Sequence, residues 1–152
     1  MKSSQEKIKY ATEWASRNLD KVRKYKSDWK KRNRDSINTR IKERRKEEPS
    51  YRLRCNISKT VWEYLTKQHK IKDSATWLKL PYTPKDLKEH LESLFDDKMT
   101  WDNYGKYWNI DHIIPQSKLL YDSMEHSNFY ECWKLENLRP MIVIENIRKS
   151  NK

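Results

Sequence analysis

The chain has 152 residues, 37% of them charged and 35% hydrophobic, with a mean hydropathy of −1.22, a net charge of +12 and a pI near 9.6. That is one ordinary domain, or a small domain plus an appendage, and too few apolar residues for a single compact core throughout. The positive excess points to a polyanion as partner, and without a signal peptide, lipidation motif or long apolar run the reading is cytoplasmic, with no membrane.

High charge has a plainer meaning as well, solubility alone. Its distribution favours a partner. Residues 1–70 hold 22 Lys and Arg against nine Asp and Glu, a net of +13, while residues 71–152 carry a net of −1. One part is thus suited to gripping phosphates and the other to chemistry. Cys55 and Cys132 lie far apart and form no Cys-x-x-Cys pair, which excludes a local cysteine zinc knuckle and gives no sign of a disulfide framework. Both are read as buried thiols.

The first 70 residues contain no glycine, and their one proline is Pro49. Rich in Lys, Arg, Glu and Ala, they predict helix. A weak 15-residue repeat runs through them: Tyr10, Trp14, Arg17, Asn18, Asp20 and Val22 recur as Tyr25, Trp29, Arg32, Asn33, Asp35 and Ile37. Asn18/Asp20 and Asn33/Asp35 suit N-caps, so each repeat is either a short helix restarted at a cap or part of one long, slightly kinked helix. Basic residues interleaved with Tyr10, Trp14, Tyr25 and Trp29 suit a phosphate backbone with aromatics stacking or packing beside it. The aromatics equally fit the apolar stripe of marginal helices.

After Pro49, Tyr51, Leu53, Ile57, Val61, Trp62 and Leu65 recur at spacings near three and four, predicting an amphipathic helix over 50–70 that packs onto the C-terminal half. Thr83, Pro84 and Asp86 form a helix start, with Thr83 as N-cap. That helix is expected to reach about Phe95, with Leu87, Leu91 and Leu94 on one face and His90 structural or exposed. Gly105, the sole glycine, is expected to hold a backbone geometry that other residues resist.

The richest stretch is Trp108-Asn109-Ile110-Asp111-His112-Ile113-Ile114-Pro115-Gln116-Ser117. Its alternation predicts a strand that delivers Asp111 and His112 to its end on opposite sides. Residues 135–143 predict a second strand, irregular at Arg139-Pro140, and 144–152 a short terminal helix bearing Asn146, Arg148 and Lys149.

This strand–loop–strand–helix pattern, with Asp-His followed by Asn137 and Asn146, resembles the HNH endonucleases, also called ββα-metal or His-Me finger enzymes. His112 to Asn137 is 25 residues and Asn137 to Asn146 is nine, both ordinary for that motif. The strings from Asp111 to Ser117 and from Asn146 to Ser150 also look like the HNH domain of CRISPR effector proteins. The Met-x-Trp-x-Asn-Tyr-Gly lead-in from Met99 to Gly105 is more like small HNH enzymes of phages and mobile elements. The likeness covers about residues 50–152, and the basic leader only in style.

The resemblance implies an α+β, mostly helical chain: a basic DNA-binding arm over 1–49 and a nuclease domain over 50–152, its finger core at about 107–152. It implies metal-dependent hydrolysis of DNA phosphodiester bonds, in the cytoplasm of a bacterium or a phage-infected host cell. Asp111 and Asn146 would give hard oxygen ligands to one Mg2+ or Mn2+ ion, with phosphate oxygens and waters completing the shell. His112, ordinarily near pKa 6.5, suits a general base for the attacking water. Asn137, not a ligand in this family, is implied to bond backbone across the loop and orient His112. Lys149 or Arg148 would stabilise charge on the phosphate under attack or on a neighbour. Phosphate contacts are assigned to Arg17, Lys21, Arg23, Lys24, Lys30, Lys31, Arg32, Arg34, Arg40, Arg44, Arg45, Arg139 and Arg148.

Asn146 departs from the histidine often found as the third letter, giving an HNN variant whose amide oxygen favours magnesium or manganese over zinc or nickel. Zinc ligation by Asp111, His112 and His126 is a competing arrangement. One finger offers one metal centre, so a monomer should nick one strand, and the sequence leaves monomer and dimer open. The alternatives in function are a DNA-binding protein that keeps the fold without activity, and a phage packaging accessory.

Overall fold

A computed structural model describes residues 3–149. The chain is α+β and mostly helical, with one two-stranded antiparallel sheet among the described residues. Two compact units divide between Glu43 and Arg44. No helix among the described residues is long and apolar enough to cross a membrane.

The first unit consists of α1 (Ser4–Arg17), α2 (Leu19–Arg32) and the first part of α3 (Arg34–Glu47). Each repeat is thus a 14-residue helix followed by one asparagine. Ser3 caps α1 in a reciprocal box with Glu6. Asn18 and Asn33 do not work as the N-caps expected of them. Their side-chain amides donate backward, to the carbonyls of Trp14 at 2.9 Å and Trp29 at 2.8 Å. The side chain therefore competes for the last carbonyls of the preceding helix and breaks it there. None of the three helices buries a side chain.

The second unit holds the core. In α4 (Pro49–Lys67), Leu53, Ile57, Val61 and Leu65 recur every fourth residue and are all buried. Each contributes roughly 1.5–3 kcal/mol by leaving water. Trp62 stands off this face and is exposed. Thr83, Pro84 and Asp86 open α5 (Pro84–Glu92) with a complete capping box. The helix ends three residues short of Phe95: Leu94 lies outside it and exposed, while Phe95 turns inward against Trp101 and Trp108.

β1 (Trp108–His112) pairs with β2 (Leu138–Ile142) in the register Trp108–Ile142, Ile110–Pro140, Asp111–Arg139 and His112–Leu138. Between them runs α6 (Ser127–Trp133). Its Phe129, Cys132 and Trp133, three and four apart, are buried. Leu135–Asn137 is a 3-10 turn, not the start of a strand. Arg139-Pro140 lies inside the regular ladder, because in a two-stranded sheet every strand is an edge and tolerates a missing N–H. α7 (Val143–Lys149) follows β2 without a linker. The last three residues of the expected terminal helix, Ser150 among them, lie outside the described residues.

Candidate active site

The start of β1 is fixed by the string Met99 to Gly105. Trp108 is fully buried, stacked on Tyr104 at 4.6 Å between ring centroids and edge-on to Phe95 and Trp101. Its indole N–H donates to the carbonyl of Thr100 at 2.8 Å. Gly105 has φ +84°, the left-handed region that other residues resist, and its N–H donates to the carbonyl of Trp108 at 2.8 Å. Arg52 from α4 braces the turn, its guanidinium donating to the carbonyls of Trp101 and Tyr104.

The far end of the strand carries Asp111 and His112, and Asn137 secures the backbone just beyond them. Its side-chain oxygen accepts from the N–H of Ile114 at 2.7 Å, and its amide donates to the carbonyls of Ile114 and Cys132 at 3.3 and 2.9 Å. The Asn137 carbonyl also accepts from the N–H of Ile113 at 2.8 Å. Asn137 is itself buried, so these bonds are made away from water, where leaving them unmade costs most. The loop after His112 is thereby tied to the turn before β2.

Adjacent on the strand, Asp111 and His112 meet different neighbours. The His112 ring lies edge-on to Trp133, with centroids 4.8 Å apart. Its Nε2 is buried and has no hydrogen-bond partner among the described residues. Burial lowers its pKa to about 4, against an opposing pull from Asp111, with Lys149 reinforcing the decrease. The imidazole is therefore neutral at neutral pH, with one ring nitrogen free of a proton.

Asp111 is buried between two cations. Arg139, its partner across the ladder, donates from Nε to Oδ2 at 3.0 Å. Lys149 reaches it from the end of α7, its Nζ 3.0 Å from Oδ1 and 2.8 Å from Oδ2. The same ammonium donates to the carbonyls of His112 at 2.5 Å and Ile113 at 3.4 Å. Asn146 and Lys149, three apart, share a face of α7. Asp111, His112, Asn146 and Lys149 line one cavity of about 200 Å³ with Ile110, Pro115 and Gln116. A second cavity, of about 230 Å³, also reaches His112 and Asn146 and is walled by Asn56, Thr60, Tyr104 and Trp133 among others.

The oxygens converging beside Asp111 are its own carboxylate and the carbonyls of His112 and Ile113, with Asn146 lining the same cavity; hard oxygens are the set a divalent ion takes. Four oxygens converge there on one ammonium, so the donor chemistry suits a cation. No group of three or more His, Cys, Asp and Glu able to hold a metal occurs among the described residues. His126 instead caps α6, its Nδ1 accepting from the N–H of Asn128 at 3.0 Å.

The structure thus brings Asp111, His112, Asn146 and Lys149 together, supported by Asn137 and Arg139. Arg17, Lys21, Arg23, Lys24, Lys30, Lys31, Arg32, Arg34 and Arg40 belong to the first unit and are all exposed. Arg44 lies over the Tyr51 ring and pairs with Glu48, and Arg45 donates to the Asn56 side chain at 2.7 Å. Arg148 is exposed on α7, away from the inward-facing Lys149. His90, half-buried, donates to the carbonyl of Leu138 at 2.8 Å and so serves β2. Asn56 and Thr60 were not singled out by sequence; they lie more than 50 residues before His112, and no local pattern marks them. Tyr104 was read only as part of the Met99–Gly105 lead-in.

The chain is 30% identical over 115 residues to an uncharacterized protein of Acanthamoeba polyphaga mimivirus, covering 76% of this chain and 49% of that one. It is 27% identical over 100 residues to a second uncharacterized protein of the same virus, covering 66% and 42%. It therefore spans about half the length, or less, of the curated relatives it matches. No family model and no solved structure matches the chain.

Proposed function

We propose that the chain is a metal-dependent DNA endonuclease of the HNH kind, an HNN variant whose β1–loop–β2–α7 segment is the ββα-metal finger. The observation that carries this reading is that Asp111, His112 and Asn146 line one cavity, with the buried Nε2 of a neutral His112 left without a partner. A buried polar atom without a partner is costly and calls for a reason.

His112 accepts a proton from the attacking water at Nε2. Asn137 holds the peptide after His112 and so keeps the ring in place. Asp111 and Asn146 would hold a magnesium or manganese ion in the place where the Lys149 ammonium pairs with Asp111. When bound, such an ion offsets charge on the scissile phosphate and the leaving 3′ oxygen. Trp133, against the His112 ring, helps keep bulk water from it. The nine assigned Lys and Arg of the first unit supply phosphate contacts on double-stranded DNA, giving affinity without sequence information. With one centre per chain, the product of one encounter is a nick.

A second reading draws on Asp111, already neutralised by Lys149 and Arg139: a DNA-binding or packaging accessory of the same fold that does not cut.

Incubating supercoiled plasmid with the protein and magnesium, manganese or EDTA separates the two. The nuclease reading expects open circles with metal and none with EDTA. Plasmid that is bound but stays supercoiled in both metals would overturn it.

A further inference from the structure

We infer that Asp111 and the carbonyls of His112 and Ile113 form a cation cradle that Lys149 fills from within, so that a divalent ion enters by displacing a tethered ammonium. The identity of the incoming ion rests on the proposed function; the cradle rests on its geometry.

Lys149 Nζ has both Asp111 oxygens at 2.8–3.0 Å, the His112 carbonyl at 2.5 Å and the Ile113 carbonyl at 3.4 Å. An ammonium has three protons and no acceptor. Four converging oxygens therefore saturate it. The pair is also well shielded, with side-chain exposures of 18% for Lys149 and 7% for Asp111. Surface ion pairs are commonly incidental, but here two backbone carbonyls are turned onto the same charge. Convergent oxygens around a point charge are what a hard cation requires.

Charge decides whether the ammonium can stay when such an ion arrives. Asp111 contributes −1, and Lys149 with Arg139 contributes +2. Adding a divalent ion to all three would place a net +3 around a carboxylate that is only 7% exposed, where like charges repel more strongly than in open water. One cation must leave. Arg139 is the less mobile candidate, because it sits in β2 directly opposite Asp111. Lys149 hangs on a flexible four-carbon stem at the end of α7, and its compact charge moves without disturbing the ladder. A DNA phosphate brought to the cavity gives the displaced ammonium a new anion. Metal entry and DNA binding are then favourably coupled, and without DNA the resident lysine keeps metal affinity low.

The test is manganese binding to the full chain without DNA, followed by the electron paramagnetic resonance of free Mn2+. Wild type is compared with Lys149→Met, Lys149→Gln, and each of these combined with Asp111→Asn. The inference expects both lysine variants to bind one Mn2+ at least about tenfold more tightly than wild type, and Asp111→Asn to abolish the gain. Their melting temperatures should also rise with added Mn2+ more than that of wild type. Equal affinity in wild type and lysine variants, absence of binding in both variants, or a gain that survives Asp111→Asn would each overturn it. Such a failure, with metal-dependent plasmid nicking intact, removes the displacement alone. Failure of nicking removes the nuclease reading independently.

Discussion

Residues 3–43 form helices that bury no side chain, whereas residues 44–149 gather Leu53, Leu65, Leu91, Trp108, Phe129 and Trp133 into one core. The first stretch belongs to a segment with 14 Lys and Arg against six Asp and Glu over residues 1–43, a net of +8; the remaining 109 residues carry a net of +4. Helices of about 14 residues are marginal in water when tertiary packing does not hold them. Local support for those of the first unit includes the Ser3–Glu6 box, the Asp20–Arg23 pair and the backward-bonded Asn18 and Asn33. Charge and core are thus kept in separate parts of the chain. One part presents a basic, exposed surface at little cost in buried charge, and the other uses its apolar residues to hold Asp111 and His112 at the end of a strand.

Tryptophan substitutions probe that division most strongly. Trp108→Ala removes a fully buried ring and an indole hydrogen bond, and is expected to cost about 3–5 kcal/mol in urea denaturation. Trp29→Ala, on an exposed face, should shift stability by no more than about 0.5 kcal/mol. A comparable loss at both positions would mean that the first unit has a packed face of its own, and the contrast would fail.

A smaller effect concerns the breaks between the basic helices. Asn18→Ala combined with Asn33→Ala exchanges two helix-breaking side chains for the best helix former, a gain in propensity of roughly 0.5 kcal/mol each. Far-UV circular dichroism should then show more helix. A fall in helicity would mean that the amide bonds to Trp14 and Trp29 are worth more than propensity, and that the breaks are stabilising.

Features written in neighbouring residues were legible in the sequence. The four-residue spacing from Leu53 to Leu65 marked the buried face of α4, Thr83-Pro84-x-Asp86 marked the start of α5, and alternation marked β1. Asp111 and His112 were placed correctly at its end, and the unique Gly105 does take a positive φ. Misreadings occurred where a local signal had two outcomes. Asn18 suits both a cap for the next helix and a breaker of the preceding one, and the carbonyl of Trp14 won. The polar residues from Asp122 to Asn128 concealed that Phe129, Cys132 and Trp133 begin a helical face. What could not be read at all was long-range: Arg139 and Lys149 converge on Asp111 from 28 and 38 residues away, and Asn56, Thr60 and Tyr104 wall a cavity beside His112. Such meetings depend on how the sheet and α4 pack, which no short window records.

The decisive test of the separation of grip from chemistry is to measure DNA affinity and single-turnover nicking together, on full-length His112→Ala and on a variant with Arg17, Lys21, Lys31 and Arg32 changed to Gln. His112→Ala should keep wild-type affinity and lose about 100- to 10,000-fold in nicking rate. The glutamine variant should bind more weakly, with a salt dependence of log K shallower by about one for each phosphate no longer neutralised, and should nick at the wild-type rate once saturated. Wild-type nicking by His112→Ala, or unchanged affinity and salt dependence in the glutamine variant, would contradict the account.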